Sequence, residues 1–320
     1  MYLETARLII KDLDESMAAS VHLNSLDGDN RRFLPDEVFE SPEEALSAIR
    51  HLISCYQSQD GPFVYAVLLK TGHQIGHVQL VKIREGWEIG FHTGQAYGCQ
   101  GYATEAVKAY LPFIMDQVDT PVIYGICDQE NLASRKVMEK CGFTLVYEGI
   151  DSYQGEERPI CKYLLADPGR IEDLVDKLMA SDDQEAYRSM KKLEAVSREA
   201  DAVYPFLGSF FTMLNHANSY IRTRGLILIA ANARWDQQGQ IDGIIDAYLE
   251  HIMDPSPITA RQCIKALPLM ARHRPGLRSR IVNALERADH SNHQESMREL
   301  LGKDIDQALN RLGEEASCQL

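Results

Sequence analysis

Residues 96–108 read AYGCQGYATEAVK, with Gly98 and Gly101 ahead of a stretch of helical period and no charge before Glu105. Glycine lets a backbone turn tightly and brings its amides close to a ligand. The helix that follows points unbonded N–H groups and the positive end of its dipole at the same spot, so the expected ligand is an anion. A magnesium-bound nucleotide triphosphate asks for Lys-Ser/Thr in such a turn, and GCQGYAT has no lysine. A dinucleotide fold asks for G-x-G-x-x-G after the first strand of a parallel unit. This turn follows what reads as the fourth strand of an antiparallel meander. A metal-free pyrophosphate held mainly by main-chain amides fits better. Charge-assisted hydrogen bonds contribute roughly 1.5–3 kcal/mol each, so three or four suffice.

The elements around the turn alternate strand and helix. RLIIKDL reads as a strand, followed by a helical stretch from about Glu15. SPEEALSAIRHLISCY is an amphipathic helix with Ser41 as N-cap, Pro42 in the first helical position and Glu44 in the capping-box position. FVYAVLL and IGHVQLVKI flank KTGHQ, a hairpin signal, and WEIGFH is the strand that delivers the turn. A helix runs from about Tyr102 to Gln117, with Pro112 expected to kink it or end it early. VIYGIC is a strand, ENLASRKVMEKCGF a helix stopped by Gly142, and FTLVYEGI and ICKYLL form a last hairpin around YQGEER. The order predicts an α+β domain over residues 1–166 with a mixed, largely antiparallel sheet.

Beyond Pro168 nearly everything has helical period. Arg188, Arg224, Arg261 and Arg298 recur at intervals of 36, 37 and 37 residues. Asp182, Asn218 and Asn292 stand six positions before three of them and Asp254 seven before the other, where helix N-caps are expected. Each Arg falls where it can reach carbonyls or acids of a neighbouring unit. Helix pairs that cannot bury their apolar faces alone must stack, so residues 167–320 read as an all-α solenoid. The pairing resembles HEAT repeats over about residues 170–313. A plain helical bundle with coincidental spacing is the alternative.

WEIGFHTGQAYGCQGYATEAVKAYL followed by NLASRKVMEKCGF resembles the GNAT superfamily of acetyl-CoA-dependent N-acetyltransferases, and with LETARLIIKDL it is most similar to the branch that acetylates N-terminal amines of ribosomal proteins. The resemblance spans about residues 1–166. It maps the family's Gln/Arg-x-x-Gly-x-Gly/Ala phosphate motif onto Gly98, Cys99, Gln100, Gly101, Tyr102 and Ala103, with Thr104 as a further donor. The first position is Gly rather than Gln or Arg. It also implies that Phe91, His92 and Thr93 pair with the pantetheine arm of acetyl-CoA as an added strand does, with the thioester where this strand splays from VIYGIC.

Direct transfer needs a neutral amine aligned on the thioester carbon. Neutralising a lysine-like amine at pH 7 costs about 4–5 kcal/mol, an N-terminal amine only about 1 kcal/mol. Strand alternation puts Glu88, Gly90 and His92 on one face and Trp87, Ile89 and Phe91 on the other. Related enzymes carry an acid at this place, acting through water, which makes Glu88 the candidate base; a solvated strand residue is the plain alternative. His92 would titrate near neutrality and is better read as structural. Asn131 and Ser134 share a helix face and match the family's Asn-x-x-Ser: Asn131 would bridge the pantetheine arm and Ser134 would protonate the leaving thiolate, against plain capping and packing. The Tyr that many GNAT enzymes place four residues after that Ser is Met138 here, which cannot donate a proton.

The chain has 320 residues, 33 basic and 47 acidic, for a formal net charge of -14. That charge disfavours nucleic acid and anionic membranes as partners. Cys55, Cys99, Cys127, Cys141, Cys161, Cys263 and Cys318 are scattered without a CxxC, which argues against a zinc site and a disulfide framework and for reduced thiols in a cytosol. No metal is expected. Cys99 and Cys141 read as inert thiols rather than nucleophiles. The leading expectation is a cytoplasmic N-acetyltransferase whose acceptor is a small-molecule amine or a protein N-terminus, with the solenoid presenting a protein partner or substrate. The other is a CoA-holding sensor, catalytically weak, on an interaction scaffold; Met138 and Gly98 motivate it.

Overall fold

The strands of the first half assemble into one eight-stranded sheet in the computed structural model, which describes residues 1–153 and 155–317. The chain divides into two compact units, Met1–Asp167 and Pro168–Leu320. Gln154, in the turn of the last hairpin, and Cys318 lie outside the described residues.

In the first unit β1 (Tyr2–Glu4) and β2 (Leu8–Asp12) lead to α1 (Ala18–Ser25), α2 (Gly28–Phe33) and α3 (Pro42–Cys55). Then come β3 (Phe63–Leu69), β4 (Gln74–Ile83), β5 (Gly86–Thr93), α4 (Tyr102–Gln117), β6 (Val122–Asp128), α5 (Leu132–Lys140), β7 (Thr144–Tyr153) and β8 (Glu156–Ala166). The sheet order is β1-β2-β3-β4-β5-β6-β8-β7, and only the β5–β6 pair is parallel. The glycine turn therefore follows the fifth strand, not the fourth: β1 is three residues long and too short to show alternation.

Both faces of the sheet are covered, which explains why β3 is buried along nearly its whole length rather than alternating. Phe63, Tyr65 and Val67 join Ile89, Val107, Tyr110 and Ile114 in the larger core. Val64, Ala66 and Leu68 pack with Leu13, Met17 and Ile49 on the opposite face. Ser41 caps α3, its hydroxyl accepting from the Glu44 N–H at 3.2 Å, while the Glu44 carboxylate reaches one residue further back to the Glu40 N–H. Pro112 does not end α4, which continues to Gln117. It lies on the exposed side of the helix, as does Lys108, whose carbonyl it leaves without an intrahelical donor and open to water.

The second unit is helical throughout its described residues: α6 (Pro168–Asp176), α7 (Asp183–Glu199), α8 (Leu207–Met213), α9 (Ser219–Ala231), α10 (Gln240–Glu250), α11 (Pro257–His273), α12 (Arg278–Glu286) and α13 (Glu295–Ser317). α7 packs on α9, α9 on α11 and α11 on α13, so alternate helices form one layer. Asp182 and Asn218 cap α7 and α9 as expected. Asp254 does not cap α11; the N-cap is Ser256, whose N–H Asp254 accepts at 2.8 Å. Asn292 lies ahead of α13 and outside its first turn. Arg224 is buried and reaches the Leu178 carbonyl and Asp183, and Arg261 reaches Asp304, as the spacing suggested. Arg188 and Arg298 are exposed instead. No helix among the described residues is long and apolar enough to cross a membrane.

A further charge cluster of this unit, around a buried carboxylate, does not involve the periodic arginines. Asp254, only 1% exposed, takes both ends of the Arg222 guanidinium at 2.7 and 2.8 Å and the His251 ring at 2.8 Å. Removing one partner of a buried pair leaves an uncompensated charge. Arg222→Ala is expected to destabilise the second unit by about 3–5 kcal/mol. Urea unfolding followed by Trp235 fluorescence in a Trp87→Phe background reads that loss.

Candidate active site

The turn between β5 and α4 leaves main-chain amides without partners at a helix start. Cys99 (φ 58) and Gly101 (φ 81) adopt left-handed backbone conformations, whereas Gly98 does not. Gly101 is the N-cap of α4, no side chain caps that helix, and its first internal bond runs from the Glu105 N–H to the Gly101 carbonyl. The N–H groups of Tyr102, Ala103 and Thr104 therefore stand ahead of the ladder with the helix dipole behind them. Gly98, Cys99, Gln100 and Gly101 are all exposed.

The turn is not free of cations in space. Arg7, from the loop before β2, donates to Glu105 at 2.6 Å and to the Gln100 carbonyl at 3.0 Å, and its guanidinium lies over the Tyr102 ring at 4.5 Å. Thr5 holds the other Glu105 oxygen at 2.6 Å. Arg7 is thus fixed beside Gly101 with donors to spare. Its distance in sequence from the turn hid it.

The next part of the site is a gap. β5 pairs with β4 along its full length but with β6 only at Glu88–Tyr124. The Gly94 N–H bonds to the Ile75 carbonyl. Ladder alternation then turns the main-chain groups of His92 and Gly90 toward β4, and those of Phe91 and Thr93 toward the open side. Of the three residues expected along the pantetheine arm, two offer free main-chain groups there. The His92 side chain turns to the other face, where Nε2 lies 3.1 Å from Asp27. Burial and the neighbouring His77 hold the His92 pKa below its ordinary value, which favours the neutral ring.

Glu88 sits where the gap begins. The Tyr153 hydroxyl lies 3.2 Å from its Oε1 and 3.3 Å from the Ile126 carbonyl, and the Ile126 N–H also reaches the carboxyl. Burial, and more weakly Glu37, push the Glu88 pKa up to about 7, against the pull of Tyr153, the Ile126 amide and Lys162. Burial pushes the Tyr153 phenol well above its ordinary range. Its one proton can serve only one acceptor at a time: the Ile126 carbonyl when Glu88 is protonated, the carboxylate when it is not. Tyr153 carries no local signal; it arrives from β7 through pairing across β8.

Asn131 is the N-cap of α5, its Oδ1 accepting from the Ser134 N–H at 3.0 Å. The Ser134 hydroxyl hydrogen-bonds the Cys127 thiol, which burial pushes up to about 12. Burial likewise pushes Cys141 up to about 11, so neither is a thiolate at neutral pH. Met138 is 1% exposed and lies against β6 so closely that a Cβ on Gly125 would stand 2.3 Å from its sulfur. That side chain is part of the core, not of the gap. Among the described residues no group of His, Cys, Asp and Glu is arranged to hold a metal.

Residues 7–144 match the family model of the acetyltransferase (GNAT) domain. YnaD of Bacillus subtilis (strain 168), an uncharacterized N-acetyltransferase, is 27% identical over 145 residues, 44% of this chain and 82% of YnaD. YjdG of the same organism, likewise an uncharacterized N-acetyltransferase, is 31% identical over 64 residues, covering 20% of this chain and 38% of YjdG. Among solved structures, a GNAT-family acetyltransferase from Bacillus anthracis is 24% identical, with a TM-score of 0.45 over 52% of this chain and 98% of that one. The ribosomal L7/L12 α-N-protein acetyltransferase RimL, solved in complex with coenzyme A, is 20% identical, with the same TM-score and coverage.

The first unit carries a GNAT acetyltransferase domain, a class that takes acetyl groups from acetyl-CoA. Its residues fit that donor: uncapped amides at a left-handed glycine for the diphosphate, and an open strand edge for the arm. The matched stretch ends at the first residue of β7, so neither Tyr153 nor the second unit belongs to it.

Proposed function

We propose that the protein is an N-acetyltransferase that moves acetyl from acetyl-CoA directly to a primary amine. The observation that carries this reading is Glu88, a carboxyl pushed up to about 7 at the mouth of the β5–β6 gap. Bound there, acetyl-CoA supplies a thioester carbonyl to the attacking amine. Gly98, Cys99, Gln100, Gly101, Tyr102, Ala103 and Thr104 form the diphosphate cradle, with Arg7 at its side. Phe91 and Thr93 offer the main-chain groups that hold the arm. Glu88 Oε1 takes the amine proton, directly or through a water, and Tyr153 turns its hydroxyl onto the carboxylate when Glu88 is ionised. Ser134 Oγ passes a proton to the departing sulfur and regains one from solvent, a task the buried Met138 cannot perform. Asn131 acts as a positioning residue by fixing the first turn of α5, and with it Ser134.

For the second unit we propose a HEAT-like solenoid, domain boundary at 166/167, that presents a protein partner or substrate. The α7–α9–α11–α13 layer and the interhelical arginines at 224 and 261 support it. A cytoplasmic setting agrees with the reduced, scattered cysteines.

Incubation with radiolabelled acetyl-CoA and amines, peptides and lysate protein tests the reading. Label moving to an amine, with one free thiol released per acetyl, is the expected result. No transfer to any acceptor would leave the domain as a CoA-holding sensor.

A further inference from the structure

On the face of the sheet opposite α4 lies a cavity of about 340 Å³ between α1, α3 and strands β3–β5. Its walls are apolar, among them Leu13, Val21, Phe39, Ile49, Leu52 and Val64. Its floor is polar: Glu37, His77, Gln79 and His92. The floor shares a sheet face with Glu88, because β4 and β5 set Gln79 opposite Gly90 and Val81 opposite Glu88. Gln79 lies across the bare Gly90, where a Cβ would come within 2.6 Å of it.

Most polar groups lining this cavity already have partners. Asn30 donates to the Ser25 and Glu37 carbonyls, and Ser25 donates to the His22 carbonyl. Gln74 takes the Ser20 hydroxyl, and His92 is tied to Asp27. Two atoms differ. Glu37 Oε1 receives Gln79 Nε2 at 2.7 Å, while Oε2 has only His77 Nε2, 3.2 Å away. That His77 nitrogen is buried and has no hydrogen bond of good geometry. Burial pushes the Glu37 pKa up, but His77, Gln79 and His92 outweigh it and keep the group ionised. A half-buried carboxylate oxygen beside a buried, unsatisfied ring nitrogen ends this apolar cavity; an under-satisfied polar atom of this kind costs roughly 1–3 kcal/mol, and a donor with several N–H bonds would satisfy the carboxylate.

We infer that this cavity is the acceptor pocket and that it selects a primary amine on a compact apolar body, with the ammonium held by Glu37 Oε2 beside His77. The inference rests on the acetyltransferase reading and names its substrate class. One ammonium matches the open Glu37 oxygen on the floor; the cavity's other carboxylate, Asp36, is exposed. A polyamine or an amino sugar would press further ammonium or hydroxyl groups against apolar walls, where each unpaired polar group costs about 1–3 kcal/mol. The two carboxylates then divide the work: Glu37 stays charged and binds, while Glu88 exchanges the proton.

Steady-state kinetics with phenethylamine, leucinamide, spermidine and glucosamine, in wild type and Glu37→Gln, test this. Wild type is expected to favour the two apolar amines at least tenfold in kcat/KM. Glu37→Gln is expected to raise their KM tenfold or more with a smaller change in kcat and no change in acetyl-CoA affinity. Preference for spermidine or glucosamine, or an unmoved KM, overturns the inference. Calorimetric titration of phenethylamine into the protein without acetyl-CoA separates the two readings. Binding lost in Glu37→Gln but no transfer to any amine would uphold the pocket and sink the transferase; transfer with no such binding at millimolar amine would sink the pocket alone. Circular dichroism of the isosteric variant controls for folding.

Discussion

Glu88→Gln should cost the protein about two to three orders of magnitude in kcat, the range general-base removal commonly spans, and should make its fold more stable. The two effects share one cause. Burial raises the Glu88 pKa from 4.5 to about 7 in the folded chain, so the folded state holds a proton that the unfolded chain has released. Stability from this group is complete below pH 4.5 and is lost as pH rises through about 7. At 1.36 kcal/mol per unit, discounted for the residual exposure of a half-buried group, glutamine is expected to be about 2–3 kcal/mol more stable than glutamate at pH 8. At pH 4 the two should match. The wild-type rate should climb with pH through about 7 and level off, and that limb should vanish in the variant. Amines of different pKa move their own ionisation limb but not this one. Tyr153, Glu37 and Lys162 face the same carboxyl and set its midpoint, so Tyr153→Phe should shift the limb upward by removing a donor to the charged form. A glutamine variant of wild-type rate, or a wild-type profile flat between pH 6 and 8, would remove the base from the mechanism.

The second large effect is expected at Gly101. Gly101→Asp places an L side chain at φ 81, which costs about 1–2 kcal/mol in strain, and sets a carboxylate at the rim of the diphosphate cradle. Losing two charge-assisted hydrogen bonds of roughly 1.5–3 kcal/mol each, at 1.4 kcal/mol per tenfold, should weaken CoA binding a hundredfold or more. Calorimetry with CoA in EDTA and in excess magnesium reads both that loss and the metal independence of the wild type. Magnesium-dependent binding, or a Gly101→Asp protein that binds as tightly as wild type, would refute the cradle. The strain is small enough that the variant should still fold.

What the sequence discloses about this site is what is local. The glycine turn, the bounds of α4 and the Glu88 face follow from turn chemistry and from periods of 3.6 and 2, all readable within twenty residues. Arg7, Tyr153 and Glu37 were hidden because only the tertiary fold brings them in: Arg7 is 98 residues from Glu105, Tyr153 is 65 from Glu88 and Glu37 is 42 from Gln79. The turn's own segment carries no cation, while Arg7 stands beside it in space. The same distinction governs the second unit. Asp182 and Asn218 cap helices as their type suggests, while Asp254 serves Arg222, a partner no spacing rule picked out. Met138 reads from sequence as a missing acid and in the fold as a core residue pressed on Gly125, so restoring a tyrosine there would meet backbone rather than the gap.

The single bridge at Glu88–Tyr124 means that the sheet is two leaves stitched at one point. A ligand whose arm lies along Phe91 and Thr93 would close that seam and do for the apo domain what a missing strand does for an open barrel. Acetyl-CoA would then be a structural member as well as a reagent, and proteolysis of the ligand-free protein should begin along this seam and slow as the cofactor fills it.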